Sequence, residues 1–201
     1  MDPPPAGSHH RAVPPWWVPL ALLLVLFLGD APTWRGYRER MAPSAQDAGT
    51  LRVNDLLGWT AFVGGIGSGA LLRWNAAFSI PAGLAWAGVG VALAGTALRT
   101  WSIVTLGRWF TLTLQVRPEQ PVIQRGPYRV LRHPSYAGGE LALLGVGLSA
   151  GNWLSPLLYV VPWLVAHVHR IRVEERVLVE TLGEPYRAYR EHTWRLVPFV
   201  W

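Results

Sequence analysis

Two stretches of this chain carry residues able to do chemistry: Arg125-Gly-Pro-Tyr-Arg-Val-Leu-Arg-His-Pro-Ser-Tyr-Ala-Gly138, and Glu174-Glu175-x-x-Leu178 followed by Gly183-x-x-Tyr186-x-x-Tyr189. In the first, Tyr128 and Tyr136 offer aromatic faces and hydroxyls, and His133 offers a ring donor and acceptor. Pro134 interrupts local helix, which frees neighbouring backbone groups to bond. Such side chains suit a bound nucleoside. In the second, Arg170 and Glu174 are four apart and share one helix face, with Leu178 a turn further on. As an exposed i,i+4 pair they would contribute only about 0.2–0.5 kcal/mol, in the weaker order. Where an apolar helix emerges from a membrane, an ionisable pair is instead a functional candidate. Glu175 reads as a support of the fold or a partner for a loop arginine. His167 and His169 are two apart and point to different sides, so they cannot form the i,i+4 pair of a helical metal site. Neither metal nor haem is expected. The chain has no Cys, which excludes disulfides, thiolate metal sites and a cysteine nucleophile.

The elements that must position these residues are apolar. Hydrophobic residues make up 51% of the 201, charged residues only 15%, and mean hydropathy is positive, unlike an ordinary soluble domain. Five runs stand out: Trp16 to Leu28, Leu56 to Leu72, Ile80 to Leu98, Tyr136 to Leu148 and Trp153 to Val168. About 20 apolar residues cross a bilayer core, so the second and third read as spans. The last two, separated by Ser149-Ala-Gly-Asn152, read as a helical hairpin. Trp16 and Trp17 suit an interface belt before the first, and Asp30, Pro32 and Trp34 make a poor signal-peptide cleavage site. The expected fold is therefore all-α, a polytopic membrane bundle of about five transmembrane helices with polar segments outside the bilayer. Residues 1–13, with Pro3-Pro4-Pro5 and an inert His9-His10, read as a disordered tail, and 14–201 as one membrane domain. Gly64, Gly65, Gly67 and Gly69 sit inside an apolar run, as do Gly88, Gly90 and Gly95. They read as close helix packing rather than a phosphate cradle.

All eighteen basic residues are Arg. Sixteen fall between runs one and two, between three and four, or after five; only Arg11 and Arg73 fall on the other side. The positive-inside rule then places the amino terminus outside and both polar stretches in the cytoplasm. The net charge of +6 follows membrane sidedness rather than one recognition surface, so no nucleic acid is expected. Attraction to anionic lipid is the expected consequence.

In order and spacing, the two stretches resemble the isoprenylcysteine carboxyl methyltransferase family, integral-membrane enzymes that use S-adenosylmethionine. The likeness runs from about Leu98 to Phe199 and includes the Val197-Pro198-Phe199 ending. The resemblance implies that Gln120, Val122, Ile123, Tyr128, His133, Pro134, Ser135, Tyr136 and Glu174 bind the cofactor, and that Arg170 contacts the substrate and serves as the catalytic residue. It implies methyl transfer to a lipid-like or prenylated acceptor delivered from the bilayer, a carboxylate by analogy. Phospholipid amines, isoprenoid acids and small thiols stay open as acceptors. The expected location is a bacterial inner membrane, with the site facing the cytoplasm. Two rival readings remain: an NADPH-dependent membrane reductase of the sterol-reductase type, disfavoured by Glu174-Glu175 where cofactor phosphates would call for basic residues, and a non-catalytic membrane protein that keeps the fold.

Overall fold

The computed structural model describes residues 13–34, 44–72 and 75–201. The expected disordered tail therefore lies outside the described residues except for Val13, as do Arg11, Arg35, Arg38, Arg40 and Arg73 of the sidedness argument. Six helices of eight or more residues organise the described residues: α1 (Trp17–Gly29), α2 (Thr50–Leu72), α3 (Ala82–Leu106), α4 (Pro134–Ser149), α5 (Leu154–Leu182) and α6 (Glu184–Glu191).

Helices α2 and α5 reach well beyond their apolar runs. Helix α2 starts at polar Thr50 because Asp47, in a short 3-10 turn, accepts from Leu51 N at 2.9 Å and from the Thr50 hydroxyl at 3.0 Å. That cap satisfies amides which would otherwise be orphaned. Helix α5 continues as one piece from the apolar run through Arg170, Glu174 and Leu178. Its polar end thus projects as a rigid extension of the bundle. Gly183, at φ +63°, stops it and turns the chain into α6. Helix α6 packs with Tyr186 and Tyr189 both buried.

Small residues set the crossings. Helices α3 and α4 meet backbone to backbone: a Cβ on Gly95 would come within 2.3 Å of Ala142 N, and one on Gly145 within 2.2 Å of Ala92 N. Helix α2 meets α5 differently, with Gly58 under the Trp163 ring and Gly65 under Tyr159. Gly67 and Gly90 face open space, so the expected packing role does not extend to them. Residues of α1 (Val18, Leu22) close the core against Ala92, Leu143, Val146 and Tyr159, and Asp30 beyond its end grips Arg99 of α3 bidentately at 2.7 and 2.8 Å. At one end of the bundle, buried Asn152 accepts from Ser155 N at 2.9 Å and donates to Ser155 Oγ at 2.9 Å, which pins the α4–α5 turn.

Among the described residues, two helices are long and apolar enough to cross a membrane, Thr50–Leu72 and the run Ala82–Trp109. Most of each apolar window is unburied, and large side chains such as Leu56, Trp59, Val63, Trp86 and Leu93 point outward. A polar medium would penalise that surface, whereas lipid would not.

Candidate functional site

The site lies at the bundle end opposite the α4–α5 turn, where four pieces of chain converge. The loop after α3 forms one wall, contributing Thr113 to Val116 and Gln120 to Ile123. It is held from across the fold. Gln46 Oε1 accepts from Val116 N at 2.7 Å while its Nε2 donates to Val116 O at 3.2 Å, and Asp47 Oδ1 accepts from Leu114 N at 3.1 Å. A second wall is the 3-10 turn Gly126–Arg129 and the start of α4. Tyr189 clamps that turn from α6, its hydroxyl donating to Tyr128 O at 2.7 Å. The pairing of Arg132 and His133 amides with Trp194 O and Arg195 O, at 2.7 and 3.1 Å, fixes the backbone next to it. Helix α5 supplies the third wall through Arg170, Glu174, Leu178 and Leu182, one stripe at i,i+4 spacing, and Tyr186 of α6 completes the enclosure. About 820 Å³ of empty space lies among these residues, open solvent at the mouth included.

At its base, Tyr136 joins the two α5 residues. Its hydroxyl donates to Glu174 Oε2 at 2.9 Å and accepts from Arg170 Nε at 3.0 Å. Among the described residues Arg170 and Glu174 form no direct ion pair, so the exposed-pair reading does not describe them. Arg170 Nη1 donates to Asp47 Oδ1 at 3.3 Å and Thr50 Oγ1 at 3.2 Å, and Nη2 donates to Leu112 O at 2.5 Å. Four of the guanidinium's five N–H groups are thereby engaged. Burial works against the charge of Asp47, but two backbone amides, Thr50 and Arg170 hold its carboxyl below the usual range.

Glu175 faces away from Glu174 and makes a separate anchor. Its Oε1 accepts from Arg132 Nε at 2.7 Å and its Oε2 from Arg195 Nε at 2.9 Å. Although burial would raise its pKa, His133 and Arg132 bring it down to about 2. His133 Nε2 approaches Glu175 Oε1 to 3.5 Å but forms no well-directed hydrogen bond, and Tyr186 Oη is likewise buried without a partner. Both residues line the pocket. Buried polar atoms are rarely left unpaired without a reason.

A second, larger cavity of about 1390 Å³ opens on the other side of Tyr136, among Leu23, Leu26, Phe62, Leu143 and Trp163. It shares Phe110, Thr111, Tyr136 and Arg170 with the first pocket. Two chambers, the second the more apolar, therefore meet at a Tyr–Arg partition.

The structure brings Gln120, Val122, Ile123, Tyr128, His133, Ser135, Tyr136, Arg170 and Glu174 to the lining of the first pocket. Pro134 is not part of the lining; it is buried as the first residue of α4 and sets the direction of its neighbours. Tyr186 also lines the pocket, with an unpaired hydroxyl. The contacts of Asp47 and Gln46 with the site had no local signal, because those partners lie 67 to 123 residues away.

Comparison with known proteins gives a consistent picture. The phospholipid methyltransferase family model matches residues 84–185. Among curated proteins, protein-S-isoprenylcysteine O-methyltransferase B of Arabidopsis thaliana is 31% identical over 115 residues, 56% of this chain and 58% of its own. The Schizosaccharomyces pombe protein-S-isoprenylcysteine O-methyltransferase is 29% identical over 114 residues, 56% of this chain and 48% of its own. The chain thus spans roughly half the length of these relatives. An uncharacterized Bacillus subtilis protein, YpbQ, is 29% identical over 96 residues, 47% of this chain and 57% of its own. The solved structure of a eukaryotic intramembrane Ras methyltransferase, isoprenylcysteine carboxyl methyltransferase, superposes with a TM-score of 0.55 at 22% identity, covering 73% of this chain and 52% of that one. At that identity the likeness is one of fold.

Proposed function

We propose, given that this chain belongs to the phospholipid methyltransferase family, that it is an integral-membrane methyltransferase that takes S-adenosylmethionine as donor and an amphiphile from the bilayer as acceptor. The observation that carries this reading is the meeting of the first pocket, lined by His133, Tyr136 and Glu174, with the more apolar second cavity at Tyr136 and Arg170. One chamber suits a nucleoside and the other a lipid chain, so two reactants can be held against each other.

The residues present fit the donor. Its ammonium calls for an acceptor, and Glu174 Oε1 makes no hydrogen bond among the described residues while Oε2 is held by Tyr136. Its adenine and sulfonium call for aromatic surface; Tyr128 lines the pocket for it, while Tyr136 is itself stacked on His133 and His167. The unpaired Tyr186 Oη is a buried polar atom that a bound ligand would satisfy, while His133 Nε2 is already 3.5 Å from Glu175 Oε1. When bound, S-adenosylmethionine supplies a methyl group on an electron-poor sulfonium. The chain itself contributes position and dryness: the i,i+4 stripe of α5 fixes the donor side, and Leu178 and Leu182 exclude water from it. Arg170 retains one uncommitted N–H on Nη2 for an anionic or carbonyl oxygen of the acceptor. The relatives' names point to a prenylated cysteine carboxylate, a nucleophile that is already ionised and needs no base. The arginine distribution supports a cytoplasmic site in a cell membrane.

Glu174→Gln tests the assignment. Labelled S-adenosylmethionine should bind more weakly by about 1.5–3 kcal/mol, because a charged acceptor for the ammonium is lost. Unchanged affinity in a folded variant would remove Glu174 from the donor site.

A further inference from the structure

The Val197-Pro198-Phe199 ending lines neither cavity. It folds into a tight turn, in which Trp201 N donates to Val197 O at 3.1 Å and Leu196 N donates to Trp201 O at 3.0 Å. Phe199 sits there at φ +64°, a left-handed conformation that a bulky side chain rarely adopts. Glycine or asparagine would serve such a turn at less cost. Phe199 is nevertheless 86% exposed and Val200 78%, with Val197 exposed beside them. Next to this apolar tip runs a basic groove, lined by Arg172 and Arg176 of α5, Arg190 of α6 and Arg195, together with Glu175 and Glu180. Four cations meet two carboxylates, and Glu175 is already bound by Arg132 and Arg195. Arg172 and Arg176 are exposed and form no hydrogen bond or ion pair among the described residues. Arg195 joins the groove to the turn, its guanidinium lying 5.0 Å over the Trp201 ring.

We propose that this end of the chain docks on the bilayer: Phe199 and Val200 insert at the head-group boundary, and the arginine groove takes the phosphate of an anionic phospholipid in the same leaflet. The inference rests on the integral-membrane reading and gives it a lipid-contact surface outside both cavities.

The depth of the surface supports it. Helix α5 continues unbroken past Val168, where its apolar run ends. At a rise of about 1.5 Å per residue, Arg172 and Arg176 stand about 6 and 12 Å beyond that point. The head-group layer is about 5–8 Å deep on each side of the hydrocarbon, and arginine stems reach back toward it. The turn is tied to the same level from a second helix. Trp194 O and Arg195 O hold the Arg132 and His133 amides, directly before α4 begins at Pro134. Water would penalise the exposed Phe199 and Val200. The boundary between head groups and acyl chains instead favours apolar side chains flanked by tryptophan and arginine, and anionic head groups add attraction for the arginines left unpaired.

The chain has no Cys, so an introduced cysteine takes a single fluorophore. The test places one at a time on the full chain: Val63→Cys in the apolar window of α2, Val200→Cys in the turn, and Glu184→Cys at the exposed far end of α5. Each labelled protein, in phosphatidylcholine nanodiscs, is titrated with phosphatidylcholine or phosphatidylglycerol carrying a nitroxide on the acyl chain, which quenches on contact. Val63 and Val200 labels should be quenched and the Glu184 label should not. Nitroxide phosphatidylglycerol should quench the Val200 label at about a five-fold lower mole fraction than nitroxide phosphatidylcholine, the effect of about one arginine near an anionic head group. Arg172→Gln combined with Arg176→Gln should remove that difference. A Val200 label quenched no more than the Glu184 label overturns the proposal, as does an equal response to the two lipids. Loss of the preference in inorganic phosphate at matched ionic strength would make the groove a site for the free anion and overturn the lipid assignment. An unquenched Val63 label would instead refute the membrane reading and the inference with it.

Discussion

Replacing Asp47 by Asn should uncouple Arg170 from the rest of the site. The carboxylate accepts four hydrogen bonds: Oδ1 takes Thr50, Leu114 N and Arg170, and Oδ2 takes Leu51 N. An amide of the same shape can keep its oxygen in only one of the two places. With oxygen at the Oδ1 place, its NH2 faces the Leu51 N–H, so one bond is lost and two donors oppose each other. A hydrogen bond to a charged group is worth about 1.5–3 kcal/mol. Leaving a buried partner charge uncompensated costs about 3–5 kcal/mol when the pair is broken outright. Because Arg170 keeps Tyr136, Thr50 and Leu112 O as partners, the lower part of that range applies, and Asp47→Asn should destabilise the fold by about 3 kcal/mol. Denaturant titration of the purified protein in detergent, with turnover and donor binding measured on the same sample, reads both consequences. Turnover should fall more than donor affinity, since Arg170 sits on the partition while Glu174 and the 120–123 loop remain in place. A loss below about 1 kcal/mol with normal turnover would mean that water replaces the carboxylate, and the latch between Asp47 and Arg170 would have no functional content.

Gly95→Ala or Gly145→Ala should cost about 1–3 kcal/mol or more, since each Cβ would meet backbone rather than a movable side chain. Gly90→Ala, which meets nothing within 4 Å, should be neutral or stabilising by about 0.5–1 kcal/mol in the same unfolding assay. Tyr186→Phe removes a buried hydroxyl without a partner, so the ligand-free protein should be no less stable while donor binding weakens by about 1 kcal/mol; unchanged binding would make Tyr186 a packing residue. Acid should unfold the protein through two carboxyls. The folded pKa values of Asp47 and Glu175 lie below their ordinary 3.8 and 4.5, Glu175 at about 2, so their stabilisation is complete above those ordinary values and is lost as pH falls toward the folded ones. Glu175→Gln should flatten that acid limb between about pH 4.5 and pH 2; an identical limb would show that other groups dominate it.

What could be read in the sequence was whatever is local or periodic. The apolar runs marked the helices, and the four-residue interval between Arg170 and Glu174 put both on one face. Boundaries set by distant partners could not be read: α2 starts six residues before its apolar run because Asp47 caps it. Nor could the bond between Asp47 and Arg170, across 123 residues, since no spacing rule connects a 3-10 turn to the far end of another helix. The pattern of α6 shows that one face is buried, not against what. Glycines showed the same limit: Gly65 and Gly67 look alike in sequence, yet one seats the Tyr159 ring and the other faces open space.

The central claim is that the polar pocket beside Tyr136 takes S-adenosylmethionine. Binding of labelled S-adenosylmethionine and of NADPH to the same preparation, each with and without Glu174→Gln, tests it most directly. Saturable binding of S-adenosylmethionine, weakened by the substitution, with no saturable NADPH binding, is the predicted result. Saturable NADPH binding without S-adenosylmethionine binding would contradict the account and place the chain with the membrane reductases.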